Sequence, residues 1–202
     1  MEMDIVLLAP KKLSRSMGNS VQEIEKNVKL NVAVDDRKLL PHITLLHINL
    51  QPGQVKNVLE ALRFLAKKHS KINLEFGANY MGASIFRNFF HLGLKKSAKL
   101  YDLHESVVET ISPIRNGKVP IPVKAKNSTQ KSYFTKYGVG NILKFFNPHF
   151  TLGELKNVKD EEFVLKFLGA RKFPKFSVDR IGLAKVNNKH QLIKIVKEFK
   201  LK

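Results

Sequence analysis

The sequence predicts an α+β fold of two pseudo-symmetric lobes, each an antiparallel sheet with flanking helices, arranged around a central cleft. Two observations lead there. Short strand-like stretches alternate with amphipathic helical stretches along the whole chain, with no long linker between them, so one two-lobed domain covering residues 1–202 is expected. In addition, Pro41-His42-Ile43-Thr44-Leu45 returns as Pro148-His149-Phe150-Thr151-Leu152, identical at four of five positions. A recurrence of that quality favours duplication or shared function over accident.

The elements follow in order. Ile5 to Ala9 reads as a short buried strand. Ser20, or Asn19 beside it, can cap a helix through Val21, Ile24 and Val28 ending near Asn31, with Glu23 three places after Ser20 as a capping-box partner. His42 to Leu50 is a strand, punctuated by Pro52-Gly53 before a second helix through Val55, Val58, Leu59, Leu62, Phe64 and Leu65. Ile72 to Met81 and Phe89 to Leu94 form two antiparallel strands separated by Gly82 and the pair Arg87-Asn88. Leu100, Leu103, Val107, Val108 and Ile111 mark a third helix, stopped by Pro113. Pro113 to Asn147 reads as an irregular segment. A strand from His149, a helix from Asp160 to Leu168, and closing strands Ser177–Val186 and Gln191–Phe199 joined at Asn187-Asn188 complete the chain.

Composition narrows the function. Hydrophobic content of 43% and charged content of 26% are ordinary for a globular protein. No apolar run approaches the ~20 residues needed to cross a bilayer, and the stretch from Ile5 to Pro10 is too short and wrongly flanked for a signal peptide, so a cytoplasmic location is expected. Cysteine is absent, which excludes disulfides, thiolate metal sites and cysteine nucleophiles. The 36 Lys and Arg against 17 Asp and Glu give a formal charge of +19. Such a field attracts polyanions, nucleic acid first among them, though it carries no information about sequence or chemistry.

The repeated motif supplies the chemistry. Alternate side chains of a strand point to opposite faces, so His42 travels with Thr44 and His149 with Thr151, while Ile43, Leu45, Phe150 and Leu152 turn into the core. Each copy delivers an imidazole and a hydroxyl together. Two imidazoles across a cleft can serve a phosphodiester as base and acid, because a pKa near 6.5 allows one ring to be neutral and the other protonated near neutrality. The hydroxyls can donate to the non-bridging phosphate oxygens, where charge gathers in the transition state. Neither motif supplies a close-spaced ligand set for zinc, so neither a metal nor a cofactor is expected.

This pattern resembles the 2H phosphoesterase superfamily, which includes the 2′,5′ RNA ligase-like proteins and cyclic nucleotide phosphodiesterases. The resemblance covers nearly the whole chain. It implies a metal-independent phosphodiesterase acting on 2′,3′-cyclic or 2′,5′-linked phosphodiesters of RNA or nucleotides, with reversible RNA ligation as a related activity. It also implies His42 as proton donor, His149 as the acceptor that activates water, and Thr44 and Thr151 as phosphate ligands. Many ligase-like members carry a basic residue shortly after the second motif, where this chain has Gly153-Glu154-Leu155.

Other residues are secondary candidates. His47, five places from His42, is expected on the opposite face of an unbroken strand. His91 can face the cleft or the outside; His69, His104 and His190 receive no role. Pro113 to Asn147 carries seven basic residues and no acidic one. Within it Tyr133, Phe134 and Tyr137 interleave with Lys131 and Lys136, a mixture suited to gripping phosphates and stacking bases, with Lys124 and Lys126 as further RNA-binding candidates. Arg180 and Lys185 are further candidates for phosphate contact. The competing reading is a non-enzymatic RNA-binding protein on the same fold.

Overall fold

The computed structural model describes residues 1–35, 39–81, 88–119 and 125–202. Its elements are β1 (Glu2–Leu8), α1 (Lys11–Glu25), β2 (Leu30–Ala33), β3 (His42–Asn49), α2 (Val55–Lys68), β4 (Ile72–Leu74), β5 (Phe76–Met81), β6 (Phe89–Leu94), α3 (Ala98–Ile111), α4 (Ser128–Tyr137), β7 (His149–Leu155), α5 (Glu161–Ala170), β8 (Phe176–Val178), β9 (Arg180–Val186) and β10 (Leu192–Lys200). Two four-stranded antiparallel sheets, in the orders β10-β9-β1-β3 and β2-β7-β6-β5, form the two lobes, and β4 pairs with β8 in a small third sheet. The expected α+β, two-lobed architecture is the observed one, with one motif in each large sheet.

Helices form where an apolar stripe meets the sheets. Leu13, Met17, Val21 and Ile24 line the buried face of α1; Val58, Leu62 and Leu65 that of α2; Leu100, Leu103, Val107 and Ile111 that of α3. These stripes and the inner faces of both sheets make one continuous core.

Local patterns misplaced four features. The first helix starts at Lys11, just after Pro10, and Ser20 lies buried in its middle, its hydroxyl donating to the Ser16 carbonyl, while Glu23 pairs with Arg171. The polar run before Ser20 concealed the 4-residue spacing of Leu13 and Met17. The expected continuation to Asn31 gives way to the edge strand β2, which pairs with β7. Two expected long strands are each divided, Ile72–Met81 into β4 and β5, and Ser177–Val186 into β8 and β9. The irregular segment contains α4, capped by Asn127, whose side chain accepts from Gln130 N at 2.9 Å, and closed by Gly138 at φ 80°. Its tyrosines gave no clean apolar stripe. At the β9–β10 turn the left-handed residue is His190 at φ 56°, neither of the asparagines; Asn187 organises the turn by accepting from Lys189 N and Gln191 N. The turn expected at Gly82 and Arg87, and Pro120, Pro122 and Lys124, lie outside the described residues.

The repeat extends beyond its five residues. On β3, Val6 faces Thr44 and Ile5 faces Leu46, so Leu45 is an extra residue; on β7, His91 faces Thr151 and Phe90 faces Gly153, so Leu152 is extra in the same way. Each motif therefore ends in a β-bulge at the same place. A bulge leaves a carbonyl to be satisfied by something other than the ladder. Val34 N donates to Leu152 O at 2.9 Å, and the buried His104 of α3 donates from Nδ1 to Leu45 O at 2.8 Å. His104 Nε2 in turn accepts from Leu143 N at 2.8 Å, and its ring stacks on Phe146, 3.8 Å between centroids. One imidazole thus ties the bulge of the first lobe to the segment that feeds His149 in the second.

Gly153 marks where the repeats differ. A Cβ there would lie 2.6 Å from the Val32 carbonyl oxygen and 2.6 Å from the Phe90 ring, because β7 has neighbours on both sides. The equivalent Leu46 sits on β3, an edge strand with room for a full side chain.

Two outcomes follow. Gly153→Ala should lower stability by about 1–3 kcal/mol, the usual cost of forcing volume into a packed site, whereas Gly53→Ala, with nothing within 4 Å, should leave the urea midpoint unchanged. Burial pushes the His104 pKa from 6.5 to about 4, against the smaller raising effect of the Leu45 carbonyl. Its neutral form is thus the native one, and its contribution is fully present above pH 6.5 and lost as pH falls towards 4. Wild type should lose up to about 3 kcal/mol through this group over that window. His104→Gln, which retains a donor and an acceptor but cannot titrate, should start less stable at pH 7 and show a smaller loss between pH 7 and 4.5 in paired denaturation curves.

Candidate active site

The two motif histidines are held identically. His42 Nδ1 lies 2.8 Å from Leu40 O, and His149 Nδ1 lies 2.7 Å from Asn147 O. In both copies the acceptor is the carbonyl two residues back, beyond a proline whose fixed φ stiffens the approach. A carbonyl only accepts, so Nδ1 carries the proton in each ring and Nε2 is left for chemistry. Ile43, Leu45, Phe150 and Leu152 are buried behind them, as the alternation predicted. The second site senses the first: burial above all, with the charges of His42 and His47, holds His149 below its ordinary pKa, the Asn147 carbonyl opposing. His42 is likewise lowered, by burial and by His47, against the Leu40 carbonyl and Asp4.

His47 lies on the other face from the one expected. The bulge at Leu45 resets the alternation, so His47 shares the face of His42 and Thr44 instead of opposing it. Its Nδ1 donates to Asp4 Oδ1 at 2.7 Å, and Thr44 Oγ1 donates to Asp4 Oδ2 at 3.3 Å. Asp4 is fully buried. Burial pulls the His47 pKa down, but the charge and hydrogen bond of Asp4, with the charge of Glu2, outweigh it and leave the ring above its ordinary value. No linear pattern signals Asp4; only the pairing of β1 with β3 sets it opposite His47.

His91 faces the cleft side of β6, paired with Thr151, its ring edge-on to His149 at 4.4 Å. Burial, with the charge of His149, presses its pKa to about 2, so it stays neutral and serves as a fixed wall for His149. After the second bulge Glu154 shares the face of His149 and Thr151, as His47 does in the first copy. Glu154 is paired with Lys189 of the β9–β10 turn. The second motif is thus followed by a carboxylate that draws in a lysine from the other lobe.

The basic segment is only partly brought into play. Lys126, Lys131 and Lys136 are exposed, with Lys136 Nζ 4.9 Å from the Tyr137 ring centre. Tyr133 and Tyr137 lie edge to face at 5.8 Å and pack against the core, which removes part of their faces from base stacking. Arg115 donates to Ser112 O and Thr135 O, tying α4 down. Lys124 lies outside the described residues. Arg180 is paired with Glu198 at 3.0 Å, and Lys185 is exposed.

No helix among the described residues is long and apolar enough to cross a membrane. By sequence, no relative was found among curated proteins. Among solved structures the fold is shared with TT0787 of Thermus thermophilus (TM-score 0.59, 15% identity, 100% of this chain and 98% of that one). It is shared also with E. coli LigT complexed with 3′-AMP (TM-score 0.53, 12% identity, 99% and 97%). Residues 13–190 match the family model described as the 2′-5′ RNA ligase superfamily, a span that holds both histidine motifs and both bulges. With that match over most of its length, the chain belongs to the 2′-5′ RNA ligase superfamily, within the two-histidine phosphoesterases that its repeated motif resembles.

Proposed function

We propose that the protein is a metal-independent phosphodiesterase acting on 2′,3′-cyclic or 2′,5′-linked phosphodiesters of RNA or nucleotides, with His42 and His149 as its acid and base. The observation that carries this reading is the matched pair of imidazoles, each with its Nδ1 proton given to a carbonyl two residues back and its Nε2 free. His104, a structural histidine, uses both nitrogens; these two keep one in reserve. The solved structure of LigT with 3′-AMP, on the same fold, points to a nucleotide or RNA substrate.

In this mechanism His149 Nε2 takes a proton from water as the water oxygen bonds to phosphorus. The bond from phosphorus to the leaving ribose oxygen breaks, and protonated His42 supplies the proton that oxygen needs. Read in reverse, the same proton transfers join two ends, so hydrolysis and ligation share the site. Thr44 and Thr151 donate to the non-bridging oxygens. The Thr44 hydroxyl rests on Asp4 through a long contact of 3.3 Å, and can turn to phosphate because His47 still satisfies the carboxylate. His91 keeps the His149 ring from swinging, and the Glu154–Lys189 pair places a cation at the cleft where the second motif lacks one.

His42→Gln or His149→Gln should abolish turnover of 2′,3′-cyclic or 2′,5′-linked substrates in EDTA while the fold and most RNA affinity persist, since an amide cannot exchange a proton near neutrality. Thr44→Val or Thr151→Val should cost roughly a hundredfold to a thousandfold in kcat. Activity lost in EDTA and restored by a divalent ion would reject the metal-free mechanism. Motif variants that turn over normally would reject the assignment. Because both rings are held below 6.5, the pH profile of kcat/KM should be a bell centred on the acid side of that value, falling tenfold per unit at alkaline pH as the donor loses its proton.

RNA affinity should depend on the basic segment. Replacing Lys124, Lys126, Lys131 and Lys136 by Gln should weaken binding, and each lost phosphate contact should flatten the log–log salt slope by about 0.7 for a single strand. An unchanged slope would place the binding field elsewhere on the protein.

A further inference from the structure

Asp4 of β1, His47 of β3 and His190 of the β9–β10 turn come from three separate parts of the chain, yet one potential ligand atom from each lies within 4.8 Å of the others. Neither motif holds closely spaced metal ligands, but spacing along the chain is blind to residues that only sheet pairing assembles. Three features distinguish this cluster from a chance meeting of polar side chains. His190 Nδ1 is buried and has no hydrogen-bond partner; the nearest carboxylate contact, Glu2 Oε2, is 3.9 Å away, beyond hydrogen-bond range. The His190 ring is set edge to face on His47, 4.9 Å between centroids, so both imidazoles converge on the same small volume. Asp4 is fully buried, and its second oxygen takes the Thr44 hydroxyl, which orients the first towards the histidines in the way an outer partner orients a metal-bound carboxylate.

We propose that Asp4, His47 and His190 form a binding site for a first-row divalent cation, with zinc the best match, on the wall of the cleft beside Thr44. Two imidazoles and one carboxylate are an established donor set for zinc, whose ligand atoms lie about 2.0–2.2 Å from the metal, which sets them roughly 3.3 Å apart in a tetrahedron. From the present spacing Asp4 and His47 part slightly from their 2.7 Å contact as the cation replaces the proton between them, and His190 closes in from a separation of up to 4.8 Å. Glu2 or a water completes the shell. The charge balance fits: Asp4 and Glu2 bring two negative charges, and Lys189, the cation on the same turn, is occupied by Glu154. The bound ion would fasten the 187–191 turn to β1 and β3, while Lys189 of that turn is held across the cleft by Glu154 with or without it. It serves architecture, leaving proton transfer to His42 and His149.

The test is calorimetric titration of the metal-stripped, full-length protein with zinc, together with the visible spectrum of its cobalt(II) form. One equivalent should bind, with cobalt bands of four- or five-coordinate intensity. His190→Asn is the decisive variant, because asparagine accepts the left-handed backbone found at this position (φ 56°) and the turn is not part of the core. It should weaken zinc binding at least tenfold to a hundredfold, as should Asp4→Asn if it folds, whereas His149→Gln should retain the full equivalent. No saturable binding at millimolar zinc would overturn the proposal, as would binding equally tight in the His190→Asn protein. The readout involves no phosphodiester, so its failure would leave the catalytic assignment standing, and failure of that assignment would leave the metal site standing.

Discussion

His104 gives its Nδ1 proton to the Leu45 carbonyl and receives the Leu143 amide on Nε2, and a ring used on both nitrogens cannot be charged without leaving a buried group unpaired. Everything at the cleft hangs on that arrangement. Leu45 is the bulge that turns His47 towards His42, and Leu143 begins the segment that delivers Phe146, Asn147 and then His149. The stacked Phe146 ring fixes the imidazole plane, so the two lobes are joined through an interaction with direction as well as through a core without one. Hydrophobic burial would tolerate a small slide of one lobe on the other. A pair of opposed hydrogen bonds does not.

The bulges give the cleft its width of function. A regular strand presents every second residue, so a five-residue step from His42 or His149 would land in the core. The extra residue in each strand brings that fifth position back to the cleft, as His47 in one copy and Glu154 in the other. The two are chemically different and are used differently. His47 meets a buried carboxylate on its own sheet, whereas Glu154 reaches across to Lys189 on the opposite lobe. Symmetry of backbone with asymmetry of side chain is what the proposed acid and base, drawn from the same motif, would require: the same holder, different surroundings.

The electrostatics are consistent with this division. Burial lowers His42 and His149 together, and each is lowered further by the charge of His47, while Asp4 holds His47 up. His91 and His104 are pressed to about 2 and about 4, which removes them from any proton traffic and leaves them as scaffold. Of the histidines around the cleft, those with a free ring nitrogen facing it and those without were indistinguishable by residue type alone.

By itself the sequence determined the α+β class, the three main amphipathic helices, and the catalytic candidates, because each rests on short-range periodicity: an apolar stripe at helical spacing, or an imidazole and a hydroxyl two residues apart behind a proline. It also determined the family through the repeat of that unit. Tertiary structure alone decided the rest. The start of α1 and the presence of α4 depended on packing and capping that outweighed weak local patterns. The face of His47 depended on one extra residue in β3, visible only in its register against β1. Asp4, His91 and His190 acquired their surroundings from strand pairings and a turn that bring distant positions within a few ångströms. Periodicity reports which side of its own element a residue occupies; what stands opposite is fixed by register, and register is a property of two strands at once.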